Sequence, residues 1–228
     1  FVESGDTPLY SRLMMRNLMT TWGVVLFLSL ACTASVQAQA CTVVVASFPY
    51  RDSILKAEYD AFIDSMNPLK IVSSYPAAIK NLLSSQVEKQ VMGIKVLGQC
   101  RELEIIPWLV PLLESDSVEV RVEATNALEN LVTHYALLRR DKSQPEKVII
   151  KPRTESDPDL SPLAWVILQL LHLPDDCANE RASAAMMVGY LDLRDLSEIR
   201  ALLHSQHPAV ERNVRYALQL MKDARNQK

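Results

Sequence analysis

Between Val118 and Val132 the apolar residues at 120, 124, 127, 128 and 131 return every three or four positions. That spacing lays a single stripe along an α-helix. Alanine at 124 and 127 lets a neighbouring helix come close, and Ser115-Asp116-Ser117 supplies an N-cap with early acidic charge. The same period predicts an amphipathic helix over Ser53–Met66, with Ile54, Leu55, Tyr59, Phe62, Ile63 and Met66 apolar, stopped by Asn67-Pro68. A short helix follows over Pro76–Ser84. Gln86–Cys100 then pairs with Glu104–Glu114, Val118–Leu138 with Pro162–Leu171, and Asn179–Tyr190 with Leu196–His204. Ala209–Ala224 closes the series. Pro76 and Pro162 suit a first helical turn, where the missing N–H is harmless.

These helices repeat. Residues 85–97 align on residues 116–128 at an offset of 31, with Val87/Val118, Glu88/Glu119, Val91/Val122 and Leu97/Leu128 coinciding. Sixty residues beyond Arg121 stands Arg181, followed by Ala184, Met187 and Val188. Val210, Val214, Ala217 and Leu218 repeat those positions thirty residues further on. A helix pair of this kind leaves an apolar side bare and must stack on its neighbours to be stable.

The run Val120-Arg121-Val122-Glu123-Ala124-Thr125-Asn126-Ala127-Leu128 resembles the first helix of the HEAT repeat family. Residues 105–113, with an early proline at Pro107, resemble its second helix. The resemblance spans roughly residues 76–224 and implies an all-α solenoid of about four HEAT-like helix pairs. Asp116/Arg121 and Asp176/Arg181 look like that family's Asp–Arg ladder. The first copy has Ser85 and Gln90 there and the last has Gln206 and Glu211, so the ladder is incomplete at the ends. Residues 41–75 are expected to form an N-terminal capping segment. The resemblance speaks for fold and is silent on function.

Composition agrees with helix. Of 228 residues 49% are apolar and 22% charged, a globular balance. Only Gly93, Gly98 and Gly189 lie beyond residue 40, too few glycines for a fold of many tight hairpins. The net charge is −3, and it is unchanged without residues 1–40 because Glu3 and Asp6 offset Arg12 and Arg16. Such a chain carries no global electrostatic footprint for nucleic acid.

Residues 14–40 have the layout of a secretory signal peptide: Arg16, then an apolar run from Trp22 to Cys32, then small residues. The run is too short to cross a ~30 Å hydrocarbon core as a helix. Cleavage is expected after Ala38 or Ala40. Residues 1–13 read as upstream translation or a fragment artefact, with the start at Met14 or Met15. Localisation is therefore expected to be periplasmic or secreted. Leu28-Ser29-Leu30-Ala31-Cys32 also loosely resembles a lipobox, which would make the protein an envelope lipoprotein tethered through Cys32. Cleavage leaves Cys41, Cys100 and Cys177, an odd number. Cys100 falls on the apolar side of its helix and reads as a small buried hydrophobe.

No catalytic, cofactor-binding or metal-binding constellation stands out. His204 and His207 lack a third ligand nearby, Asp157-Pro158-Asp159 lacks the spacing and glycine of a calcium loop, and no phosphate cradle, nucleophile elbow or H-E-x-x-H motif is present. The expected role is a non-enzymatic scaffold or adaptor with a protein partner and no cofactor. A few repeat proteins of this general type are lyases, which leaves a HEAT-repeat lyase as the alternative from another class. Two surfaces are candidates for the partner. Second helices in HEAT-like solenoids line the concave side, and here they carry Trp108 near Pro111 and Trp165 near Val166. The other candidate is residues 139–160, a long insertion that begins basic with Arg139, Arg140, Lys142, Lys147, Lys151 and Arg153. It contains an extended Val148-Ile149-Ile150, ends acidic at Glu155, Asp157 and Asp159, and has a length typical of functional or disordered loops.

Overall fold

The structure, a computed structural model, describes residues 49–144, 146–174, 176–193 and 198–226. The expectations for the signal segment, the lipobox, the cleavage sites and Cys41 concern residues outside that set. The described chain is all-helical and solenoid-like. Helix α1 is Pro49–Asp64, α2 Leu69–Ser74, α3 Pro76–Leu82, α4 Val87–Leu97 and α5 Ile106–Leu109. After these come α6 Val118–Leu138, α7 Ala164–Leu171, α8 Ala178–Leu191, α9 Glu198–Ala201 and α10 Pro208–Arg225. No helix among the described residues is long and apolar enough to cross a membrane.

The long helices form one layer in which α4 packs on α6, α6 on α8 and α8 on α10. The short ones form a second layer, and each long helix also packs on the short segment before it. The hairpins are α3–α4, residues 106–114 with α6, α7–α8, and the turn at 202–204 with α10. In this phase the insertion joins two hairpins instead of separating the helices of one. The core runs between the layers and includes Ile94, Leu97, Ile106, Leu109, Leu128, Ile167, Val188 and Val214.

Local chemistry explains the boundaries. Ser117 caps α6, its hydroxyl accepting from the Val120 N–H at 3.4 Å. The predicted helix over residues 104–114 is broken instead into a 3-10 turn, the single turn α5 and another 3-10 turn at Val110–Glu114. Pro111 has no N–H to give and its ring crowds the carbonyl four residues back, so an α-helix cannot continue through it. Helix α2, only six residues long, is too short for the apolar period to reveal. Close helix approach in the long-helix layer depends on Gly189, where a Cβ would lie 2.6 Å from the Ala217 Cα. Asn213 fastens the same pair, its Nδ2 donating to the Ala182 carbonyl at 3.0 Å.

At Asp116/Arg121 the expected Asp–Arg ladder takes another form. Asp116 is exposed, and Arg121 donates to the backbone carbonyls of Ser115 at 2.7 Å and Asp116 at 3.3 Å. Its charge partner is Glu180 on α8, 3.8 Å away, and both side chains are buried. The tie between neighbouring repeats is thus Arg121–Glu180. A guanidinium reaching across the layer meets the acid on the next helix, while Asp116 stays in water where its charge is solvated.

Candidate partner-binding face

The two tryptophans sit on short-layer segments, Trp108 in α5 and Trp165 in α7, and both are half-buried. Each is covered by the N-terminal part of the chain. Helix α1 lies against α7 and the 3-10 turn before it. Its Tyr59 ring stacks on Trp165 with 5.0 Å between centroids and 30° between planes, and Lys56 Nζ stands 5.1 Å from the Trp165 ring centroid. Trp108 Nε1 donates to the Pro68 carbonyl at 3.1 Å. Helix α1 therefore caps the side of the stack, over the short helices. Leu55, Phe62, Ile63 and Met66 complete its inward stripe, and burial drives the Tyr59 phenol's pKa upward, with Asp60 adding to it.

Of the residues beside the tryptophans, Pro111 is exposed. Val166 is not available to a partner: at 2% exposure it points into the core. One residue is about 100° of helix, so Trp165 and Val166 cannot face the same way. Below α1, Lys70 is held between Glu102 at 2.9 Å and Glu104 at 3.0 Å, which raises its pKa. The Tyr75 hydroxyl donates to Glu102 at 3.3 Å.

The insertion is structured. The Asp141 N–H donates to the Ile149 carbonyl at 2.8 Å and the Lys151 N–H to the Arg139 carbonyl at 3.0 Å, around an isolated antiparallel bridge between Arg140 and Ile150. Ile149 and Ile150 are buried. A cavity of about 220 Å³ lies where the insertion meets the C-terminal ends of α6, α8 and α10, lined by Arg139, Ile150, Asp157, Tyr190 and Leu220 among others. Arg139 donates there to the carbonyls of Tyr190 at 3.4 Å and Lys151 at 3.5 Å. Burial lowers its pKa while Asp157 opposes that shift. This is the place for a cation, since helix C-termini present unsatisfied carbonyls.

The insertion's basic and acidic ends neutralise one another. Arg153 pairs with Asp159 at 2.7 Å and Lys151 with Asp141 at 3.5 Å, and Arg140 donates to the Lys147 carbonyl at 3.4 Å. Asp157 is held below the usual carboxylate range, chiefly by the Thr154 N–H and then its hydroxyl. Lys142 and Lys147 are exposed to solvent. Among the described residues no group of three or more His, Cys, Asp or Glu side chains is placed to hold a metal. Cys100 is a free, half-buried thiol whose Sγ–H donates to the Val96 carbonyl at 3.3 Å. Cys177 is disulfide-bonded.

No family model matches the chain. Over 140 residues, 60% of its length, the chain is 25% identical to Vacuolar protein 8 of Komagataella pastoris, an armadillo/HEAT-type repeat protein. It spans 25% of that protein's length. The likeness fits a repeat-helical protein in this coarse sense.

Proposed function

We propose that the chain is an exported, non-enzymatic scaffold that binds a protein partner along its short-helix layer. The observation that carries this reading is the Tyr59–Trp165 stack, with Lys56 over the same indole. The layer holds a peptide helix there through aromatic and cation–π contacts of the kind that dominate protein interfaces. The likeness to a repeat-helical protein supports the same class of function. Export is supported by the apolar run and small residues over 14–40.

Two measurements test the proposal. A photo-crosslinking residue placed at Pro111 is expected to trap a protein in vivo, whereas one at Met92, exposed on the long-helix layer, is not. Equal trapping at both, or at neither, would remove the short-helix layer as the partner surface. Intact mass of the mature protein is expected to match a chain beginning at Gln39 or Cys41. A diacylglyceryl mass on Cys32 would make the protein a tethered lipoprotein, and a mass retaining residues 14–40 would remove cleavage.

A further inference from the structure

The cover over Trp165 has the construction of a ligand. Helix α1 lies about a hundred residues from Trp165 in sequence. Residues 54–66 meet the scaffold through one stripe: Leu55, Tyr59, Phe62, Ile63 and Met66. These positions follow the i, i+4, i+7 spacing by which amphipathic helices enter grooves on other proteins. Among the described residues, the polar contacts of this segment stay within the helix, as in the Lys56–Asp60 ion pair and the Ser65 hydroxyl donating to the Phe62 carbonyl. The exception is Lys56, whose ammonium also stands over Trp165. The long helices, by contrast, are joined by a buried ion pair and by backbone approaches too tight for a Cβ. After α1 the chain turns at Asn67-Pro68, and Trp108 clamps only the Pro68 carbonyl. Displacing residues 54–66 breaks that one stripe and spares the contacts that join the long helices.

We infer that α1 is a built-in occupant of a helix-binding face, and that a partner displaces it with an amphipathic helix of the same kind. That helix has apolar anchors at i, i+4 and i+7, an aromatic at the second anchor, and a Lys or Arg three residues before the aromatic. The aromatic stacks on Trp165 as Tyr59 does, and the cation takes the position of Lys56. The inference rests on the short-helix layer being the partner surface, and it adds what the partner must present. A cis occupant lowers the apparent affinity of any competing helix by the fraction of time the face is open, so weakening α1 tightens binding in trans.

The probe is a fluorescein-labelled peptide of residues 49–66, titrated by anisotropy against the full chain and its variants. The Tyr59→Ala/Phe62→Ala variant is expected to bind the peptide at least about tenfold more tightly than the parent. Adding Trp165→Ala should remove about tenfold of that affinity, and Lys56→Glu in the peptide should weaken it several-fold. Equal affinity of the parent and the Tyr59→Ala/Phe62→Ala variant, with that variant folded by circular dichroism, overturns the inference. So does a complex that sediments as a dimer of the parent chain exchanging its own α1, because a second copy would then be the occupant.

Hydrogen exchange on the unmodified chain keeps the question decidable if the variant fails to fold. Amides of α1 are expected to exchange at least about a hundredfold faster than those of α6 and α8. Equal protection would make α1 core and end the proposal. Trapping at Pro111 with no peptide binding would defeat this inference alone and leave the partner surface standing.

Discussion

The ion pair that joins α6 to α8 can be taken apart one charge at a time. Arg121 and Glu180 are each 2% exposed, with Nε and Oε1 3.8 Å apart. Among the described residues, those two atoms and Arg121 Nη2 have no hydrogen-bond partner, so the pair compensates its own burial imperfectly. Glu180→Leu strands a buried guanidinium and should cost about 3–5 kcal/mol. Arg121→Met should fall at the low end of that range, about 3 kcal/mol, because a stranded carboxyl can take up a proton.

With both replaced, neither charge of the pair is left buried alone. What is lost is donation to the carbonyls of Ser115 and Asp116 in the turn before α6. Asp116 is exposed and Ser115 half-buried, so water reaches that turn. The double variant should therefore lose no more than about 2 kcal/mol, far short of the sum of the single losses. Urea unfolding followed by circular dichroism gives all three values. Additivity within about 0.5 kcal/mol would refute mutual compensation. The pair also sets a pH dependence. Burial raises the folded pKa of Glu180 above its ordinary value of 4.5, with its own backbone N–H and then Arg121 opposing the shift. Its stabilising contribution is fully present below the unfolded pKa and is lost as pH rises through the folded one. Glu180→Gln should flatten that part of the stability profile.

Three simpler perturbations probe the rest of the fold. Leu128, 1% exposed at the recurring apolar position, should cost about 2–5 kcal/mol as Leu128→Ala; a urea-derived loss below about 0.5 kcal/mol would refute its place in the core. Gly189→Ala places a methyl 2.6 Å from the Ala217 Cα and should cost about 1–3 kcal/mol, and an unchanged melting temperature would deny the close approach of α8 and α10. Replacing residues 141–159 by a short Gly-Ser turn removes buried Ile149 and Ile150 and should cost at least about 2 kcal/mol. Loop-closure entropy changes too slowly with length to mask that loss, so unchanged stability would show the insertion to be dispensable.

Helix content, the register of the long helices and the cap at Ser117 were legible in the sequence. Each is set by neighbours within a turn or by a period that one helix displays alone. The apolar period predicts Val118–Leu138 with its observed bounds, and the positions 120, 124, 127, 128 and 131 are all buried. The stripe of Ser53–Met66 was equally plain, and it matches α1 to within a few residues at each end. What that stripe would rest on was not legible. Helical period says that a face must be covered and carries no information about which distant segment covers it. Only tertiary packing brought Tyr59 onto Trp165, turned Val166 into the core, gave Arg121 the carboxyl of Glu180 in place of Asp116, and folded the insertion's acids onto its own bases. Those choices lie between residues dozens of positions apart or inside an irregular loop, where several partners of equal chemistry compete and the relative placement of helices decides among them.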